Sequence, residues 1–223
     1  MSDLTGAVIL VVGASGGLGS RLSDQLEQGG ATVVRAARTA GADVQLADLR
    51  EETTPAELLA AAVAVHGRID GLVIAAGVVA FGPADQVTDA AIRDLFEVNA
   101  LAPIRLIRVA IPYLASSATS GGHPFIITLS GIVSETPTAG LAAYSAAKGA
   151  LGAFTVAATR ELRKAGIRII DAPPGHVGTT LAEHPIEGTA PRFPSALDPD
   201  AVAARIVQAI VDDEKDLPSA QFA

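Results

Sequence analysis

The sequence predicts a single-domain α/β protein, a doubly wound parallel sheet with a helical layer on each face. Three observations lead there. Val8-Ile9-Leu10-Val11-Val12 is an unbroken apolar run, which suits a parallel strand covered on both faces. Five more short runs of strand-forming residues follow, over 32–37, 43–47, 72–75, 125–129 and 167–172, most of them separated by stretches with helical spacing. No repeat or linker divides the series, so residues 1–223 are expected to form one domain.

The first strand ends in Gly13-Ala14-Ser15-Gly16-Gly17-Leu18-Gly19 and leads into a helix over 20–28, with Leu18, Leu22 and Leu26 on one face. Glycines at 13, 17 and 19 permit a tight turn, close approach of a pyrophosphate, and close packing of helix on sheet. The diphosphate would rest on the free N–H groups at the positive end of the helix. The expectation is a Rossmann-like three-layer α/β/α domain that binds a dinucleotide.

Gly29-Gly30 closes that helix, and the strand over 32–37 carries an oddity, Arg35, which must reach the sheet margin or find a partner. Only residues 39–42 separate Arg38 from the strand over 43–47. A parallel crossover usually takes a dozen residues and a helix, so this one is expected to be reduced or missing. Thr54-Pro55 and Glu57 open a helix to His66. A long helix over 88–114 contains Pro103 and Pro112, which interrupt or kink it. Its apolar positions, together with those of the helix over 144–164, exceed one core stripe and predict a homodimer or homotetramer interface. A loop over 173–197 lies on the substrate side, a helix over 198–211 follows, and residues 217–222 suit a short edge strand.

Composition excludes several classes. The formal charge of −8 argues against nucleic acid and anionic membrane surfaces as partners. No cysteine is present, so thiolate catalysis and thiolate metal sites are out. Gly, Pro or charge breaks each long apolar run before it can span a membrane, and Met1-Ser2-Asp3 carries no basic leader. A cytoplasmic protein is expected.

Tyr144 and Lys148 lie four apart on one helix face, beyond the strand whose end lies near the glycine turn. A nearby ammonium favours a phenolate, so the pair can give a proton to a carbonyl oxygen as hydride arrives, or take one back from an alcohol. Lys148 can also hydrogen-bond ribose hydroxyls.

With these pieces in place the chain resembles the short-chain dehydrogenase/reductase family over nearly its whole length. The matching segments are 12–19, Asp48-Leu49, Ala75-Ala76-Gly77, Asn99, Gly140 to Lys148, and Pro174-Gly175 with Thr179. The resemblance implies metal-free, NAD(P)(H)-dependent conversion of a small-molecule carbonyl or alcohol. It makes Tyr144 the acid/base, Lys148 its activator and ribose ligand, and Asn99 the holder of a water in the proton relay. Gly13, Ser15, Gly16, Gly17, Leu18 and Gly19 would carry the diphosphate, Asp48 and Leu49 would lie at the adenine, and Ala75, Ala76 and Gly77 along the ribose. Pro174, Gly175, Val177 and Thr179 would face the nicotinamide side.

Three departures stand out. Thirteen residues before the tyrosine, where the family keeps a serine, this chain has Gly131. Ser130 replaces it only if the strand bulges or turns there, with Ser134 and His176 as other donors. Ala75-Ala76 removes polar support, and Asp171 is an acid just before Pro173-Pro174-Gly175. At the end of the second strand Ala37-Arg38-Thr39 has no carboxylate for a ribose 2′-hydroxyl, whereas Arg38 and Thr39 can take a 2′-phosphate, so NADP(H) is favoured and NAD remains open. The expected function is an NADP(H)-dependent oxidoreductase; the alternative is a weakly active or non-catalytic dinucleotide-binding protein.

Overall fold

A computed structural model describes residues 3–38, 42–45, 47–193 and 195–222. Six parallel strands, β1 (Val8–Val12), β2 (Thr32–Ala37), β3 (Val44–Gln45), β4 (Gly71–Ile74), β5 (Phe125–Thr128) and β6 (Arg168–Asp171), form one sheet in the order β3-β2-β1-β4-β5-β6. The chain winds outward in one direction from β1 and in the other from β4, so the crevice at their C-terminal ends is the topological switch point.

The apolar run of β1 is explained by its two neighbours. Val8, Leu10 and Val12 face one core with α2 (Thr54–His66) and α4 (Ala102–Thr119), while Ile9 and Val11 face a second with α1 (Gly17–Gln28) and α6 (Pro199–Val211). Alternation along a pleated strand buries every residue when both faces are covered. Arg35 finds its partners on α1: it donates to Asp24 at 2.8 Å and pairs with Glu27 at the sheet margin.

No helix links β2 to β3 among the described residues, as expected. The strand predicted over 43–47 is only Val44–Gln45, with Leu46 outside the described residues. Asp43 Oδ2 instead accepts from the Arg35 N–H at 2.7 Å, serving a donor that a longer β3 would have paired.

The helix expected over 88–114 runs from α3 (Asp89–Phe96) through a π turn (Glu97–Leu101) into α4. Thr88 caps it, accepting from the Ala91 N–H. Pro103 has no N–H for Asn99, its i−4 carbonyl, and the ladder widens here rather than breaking. Contrary to the sequence expectation, the helical run Asp89–Thr119 is long and apolar enough to cross a membrane by length and composition. Its Leu95, Leu106, Ile107 and Leu114 are nevertheless buried in the protein's own cores. Residues 217–222 are not an edge strand. Leu217 and Phe222 pack into the second core, and Ser219–Phe222 is a 3₁₀ turn tied to Glu135 by Ser219.

Candidate active site

The glycine turn closes against its surroundings at backbone distance. Gly13 has φ 87°, and a Cβ there would lie 2.6 Å from the Ala76 nitrogen; one on Gly19 would lie 2.2 Å from the Gly13 carbonyl oxygen. Neither position admits a side chain. Gly16 caps α1 without a side-chain hydrogen bond, which leaves the first N–H groups of a 12-residue helix for an anion. Ser15 is exposed beside it and Leu18 half-buried. Thr179 packs on Gly17, where a Cβ would come within 2.6 Å of it. The donor set and tight cradle therefore fit a dinucleotide diphosphate.

Around this turn the structure gathers most of the residues singled out from sequence. Ala75 and Ala76 line the end of β4, with the Ala75 N–H on the Val12 carbonyl. Gly77 sits between Asn99 and Lys148: a Cβ there would be 3.0 Å from Asn99 Oδ1 and 3.6 Å from Lys148 Nζ. Asn99 is fully buried, and both ends of its amide are held by Val78, whose N–H donates at 3.1 Å and whose carbonyl accepts at 2.9 Å. The amide therefore braces the loop after β4. Leu49 is buried in the first core, while exposed Asp48 is held by Arg50. Arg38 is exposed at the C-terminal end of β2; Thr39 lies outside the described residues.

Tyr144 and Lys148 project from α5 (Ala142–Leu162). Lys148 is buried and donates to the Leu129 carbonyl at 2.7 Å, with its Nζ 5.8 Å from the centre of the Tyr144 ring. Burial lowers its pKa to about 8, against the opposing pull of Asp171. From the sequence the ammonium is expected to favour a phenolate; burial acts in the opposite direction. Burial pushes the Tyr144 hydroxyl up to about 12, so it keeps its proton as an acid. Tyr144 is half-buried, and among the described residues nothing hydrogen-bonds its hydroxyl.

Ser130 does not reach the cleft. It is fully buried, its hydroxyl donates to Asp171 Oδ2, and Ser134 donates to it at 3.0 Å. Its proton is thus committed to a carboxylate and is not available to a substrate oxygen. Gly131 explains the change of course: at φ 81° and ψ 158° it occupies a region essentially reserved for glycine, and the chain leaves β5 by it into the 3₁₀ turn Ile132–Ser134. The Ile132 N–H then anchors on the Pro174 carbonyl at 2.8 Å.

The loop after β6 is pinned at several points. Val177 pairs with Leu197, Ala80 with Glu187, and the Glu187 carboxylate accepts from the Thr88 N–H at 3.0 Å. His176 stacks on Phe193 with ring centres 3.9 Å apart, a contact that fastens the loop and that no spacing in the sequence announced. A cleft of about 760 Å³ opens between this loop and α1, lined by Gly17, Arg21, Thr179 and Glu183. It shares Ala182, Ala190 and Phe193 with an apolar cluster of Val79, Phe81, Val133 and Leu141 against the Tyr144 ring. Gly175 is half-buried near Leu197.

Comparison with known proteins agrees with this geometry. Residues 7–188 match the family described as short chain dehydrogenase. An uncharacterized oxidoreductase of Methylorubrum extorquens is 34% identical over 195 residues, spanning 80% of this chain and 76% of its own. A short-chain dehydrogenase structure from Streptomyces avermitilis superposes with a TM-score of 0.82 at 26% identity, covering 96% of this chain and 88% of that one. The fold is also that of a 3-ketoacyl-(acyl-carrier-protein) reductase from Brucella melitensis complexed with NADH (TM-score 0.86, 23% identity, 99% of this chain and 100% of that one).

Proposed function

This chain belongs to the short-chain dehydrogenase family, and on that footing we propose that it moves hydride between NADP(H) and a small to medium, largely apolar carbonyl or alcohol. One observation carries the reading. Tyr144, its hydroxyl kept protonated by burial, carries Lys148 Nζ 5.8 Å from its ring centre at the switch-point crevice, beside a helix terminus whose cap makes no side-chain hydrogen bond. A bound nicotinamide supplies or accepts the hydride. Tyr144 gives the carbonyl oxygen its proton, and the Lys148 ammonium steadies the phenolate left behind. The Phe81, Phe193, Val133 and Leu141 surface against the tyrosine selects an apolar substrate body and excludes water.

Cofactor choice rests on Arg38, exposed where an NAD site would place an acid. In fluorescence titrations NADPH binds more tightly than NADH, and Arg38→Ala weakens only NADPH. Equal affinity in the parent, unmoved by the substitution, refutes the assignment. Exposed Ile92, Leu101 and Val156 support a homodimer or homotetramer, with the cytoplasm as its place; a monomer mass near 22.5 kDa by light scattering would refute the assembly.

A second reading, a dinucleotide-binding protein with little turnover, is favoured by the commitment of the Ser130 proton to Asp171. A screen of ketones, aldehydes and alcohols with both cofactors separates the two. NADPH oxidation by at least one carbonyl supports the enzyme, and tight NADPH binding with no turnover supports its rival.

A further inference from the structure

Asp171 closes β6 inside the site. The register pairs it with Thr128, and its carboxylate accepts from Thr128 Oγ1 at 2.8 Å, from the Ser130 N–H at 3.2 Å and from the Ser130 hydroxyl. Residues 128 and 130 flank Leu129, and the Leu129 carbonyl is the acceptor that holds Lys148 Nζ. α5 lies against this cluster at Gly152, where a Cβ would be in ordinary contact, 3.7 Å from Asp171 Oδ2 and 3.7 Å from Ser134 Cβ. The groups around the ammonium are thus Asp171 from β6, the Leu129 carbonyl just past β5, Asn99 from the π turn, Gly77 from the loop after β4, and Tyr144 from its own helix. Asp171 is the carboxylate among them.

We propose that Asp171 is a positioning residue for Lys148: its carboxylate holds the Ser130 N–H, which belongs to the same peptide as the Leu129 carbonyl, and the Thr128 and Ser130 hydroxyls on either side, aims that carbonyl at the ammonium, and supplies the counter-charge. The arrangement also gives the replacement of the family serine by Gly131 a use. The left-handed turn at 131 leaves the hydroxyl of Ser130 directed into the sheet, where it binds the carboxylate instead of a substrate. This rests on the proposed reduction chemistry only for its effect on rate, because the Lys148–Asp171 coupling is measurable without turnover.

The chain has three lysines, Lys148, Lys164 and Lys215, so ¹³Cε-lysine NMR resolves the site, with Lys148→Met assigning its signal. In the parent the Lys148 signal is expected to titrate at about 8. In folded Asp171→Asn its midpoint falls by roughly 1 unit, the lower end for loss of a close opposite charge. At pH 8 such a shift cuts the charged fraction roughly five-fold. With a turned-over carbonyl, the basic limb of kcat/KM moves down by the same amount, which mere loss of packing would not do. Should Asp171→Asn not fold, the reciprocal measurement decides: the Asp171 ¹³Cγ midpoint rises in Lys148→Met relative to the parent. An unmoved Lys148 midpoint in Asp171→Asn, or an unmoved Asp171 midpoint in Lys148→Met, overturns the proposal. A parent that turns over no carbonyl overturns the functional reading and leaves both NMR outcomes decisive.

Discussion

Asp70 and Asp171 sit at opposite ends of one sheet, each bonded by a backbone N–H and a serine hydroxyl, yet their charges are treated differently. Asp70 precedes β4 at the N-terminal edge and accepts from the Val8 N–H at 2.9 Å, from Ser117 on α4, and from Arg68. Burial raises its pKa, but the Arg68, Ser117 and Val8 bonds outweigh it and hold the carboxyl below its usual value. Asp171 has matching bonds from Ser130 and Thr128 but, among the described residues, no guanidinium. Burial prevails there, and its pKa is raised. The first acid ties β1, β4 and α4 together with its own counter-ion. The second shares its cation with the chemistry of the site. Hydrogen bonds alone thus do not decide whether a buried acid is structural; the source of its counter-charge does.

The largest expected effect lies at the structural end. Asp70→Ala leaves the Val8 N–H and the Ser117 hydroxyl without their acceptor and should cost about 3 kcal/mol of stability. Urea unfolding measures the loss, while kcat of the protein that remains folded stays at the parent value. A stability change below ~0.5 kcal/mol, the level of an ordinary surface substitution, would remove Asp70 from the comparison.

A smaller effect is expected beside the site. Gly131→Ser restores the residue type the family keeps, but at φ 81° a side chain is strained by about 1–3 kcal/mol. The substitution should lower Tm without raising kcat. A rise in kcat would mean that the loop relaxes and that the parent is merely missing a hydroxyl.

The subtlest test is one of sign. Asp70 has a depressed folded pKa, so its stabilisation is present above the usual value near 3.8 and is lost as pH falls through the folded value. Asp171 has a raised folded pKa, so its charge is a cost at neutral pH that is relieved as pH falls toward 3.8. The destabilisation measured for Asp70→Asn should therefore shrink on acidification, while that for Asp171→Asn grows. Parallel trends in the two variants would erase the distinction.

Sequence reasoning reached the sheet, the glycine turn and the Tyr144–Lys148 pair because these depend on local pattern: a twice-covered strand, a close backbone approach, and two residues one helical turn apart. It missed the direction of the Tyr144 shift, since the apolar cluster that buries the ring includes Val79 and Phe81, more than sixty residues earlier in the chain. It placed Arg35 as an oddity because its partners on α1 become neighbours only once the sheet forms. Asp171 was visible as an acid in an apolar strand, but its role depends on the register of β6 against β5 and on the glycine turn at 131. The terminal segment misled because Leu217 and Phe222 are apolar enough for an edge strand, yet they anchor a 3₁₀ turn in the second core.

The central claim is that Tyr144 is the proton donor of a working reductase, and one paired measurement addresses it. NADPH oxidation by a carbonyl substrate is followed in parent and Tyr144→Phe protein, with the NADPH affinity of each taken from fluorescence titration. The ring stays and only the hydroxyl goes, so the rate should fall by about 10²–10⁴-fold, the usual share of a general acid, with NADPH affinity nearly unchanged. A Tyr144→Phe protein that reduces the carbonyl at the parent rate, or a parent that binds NADPH and reduces none, would contradict the account.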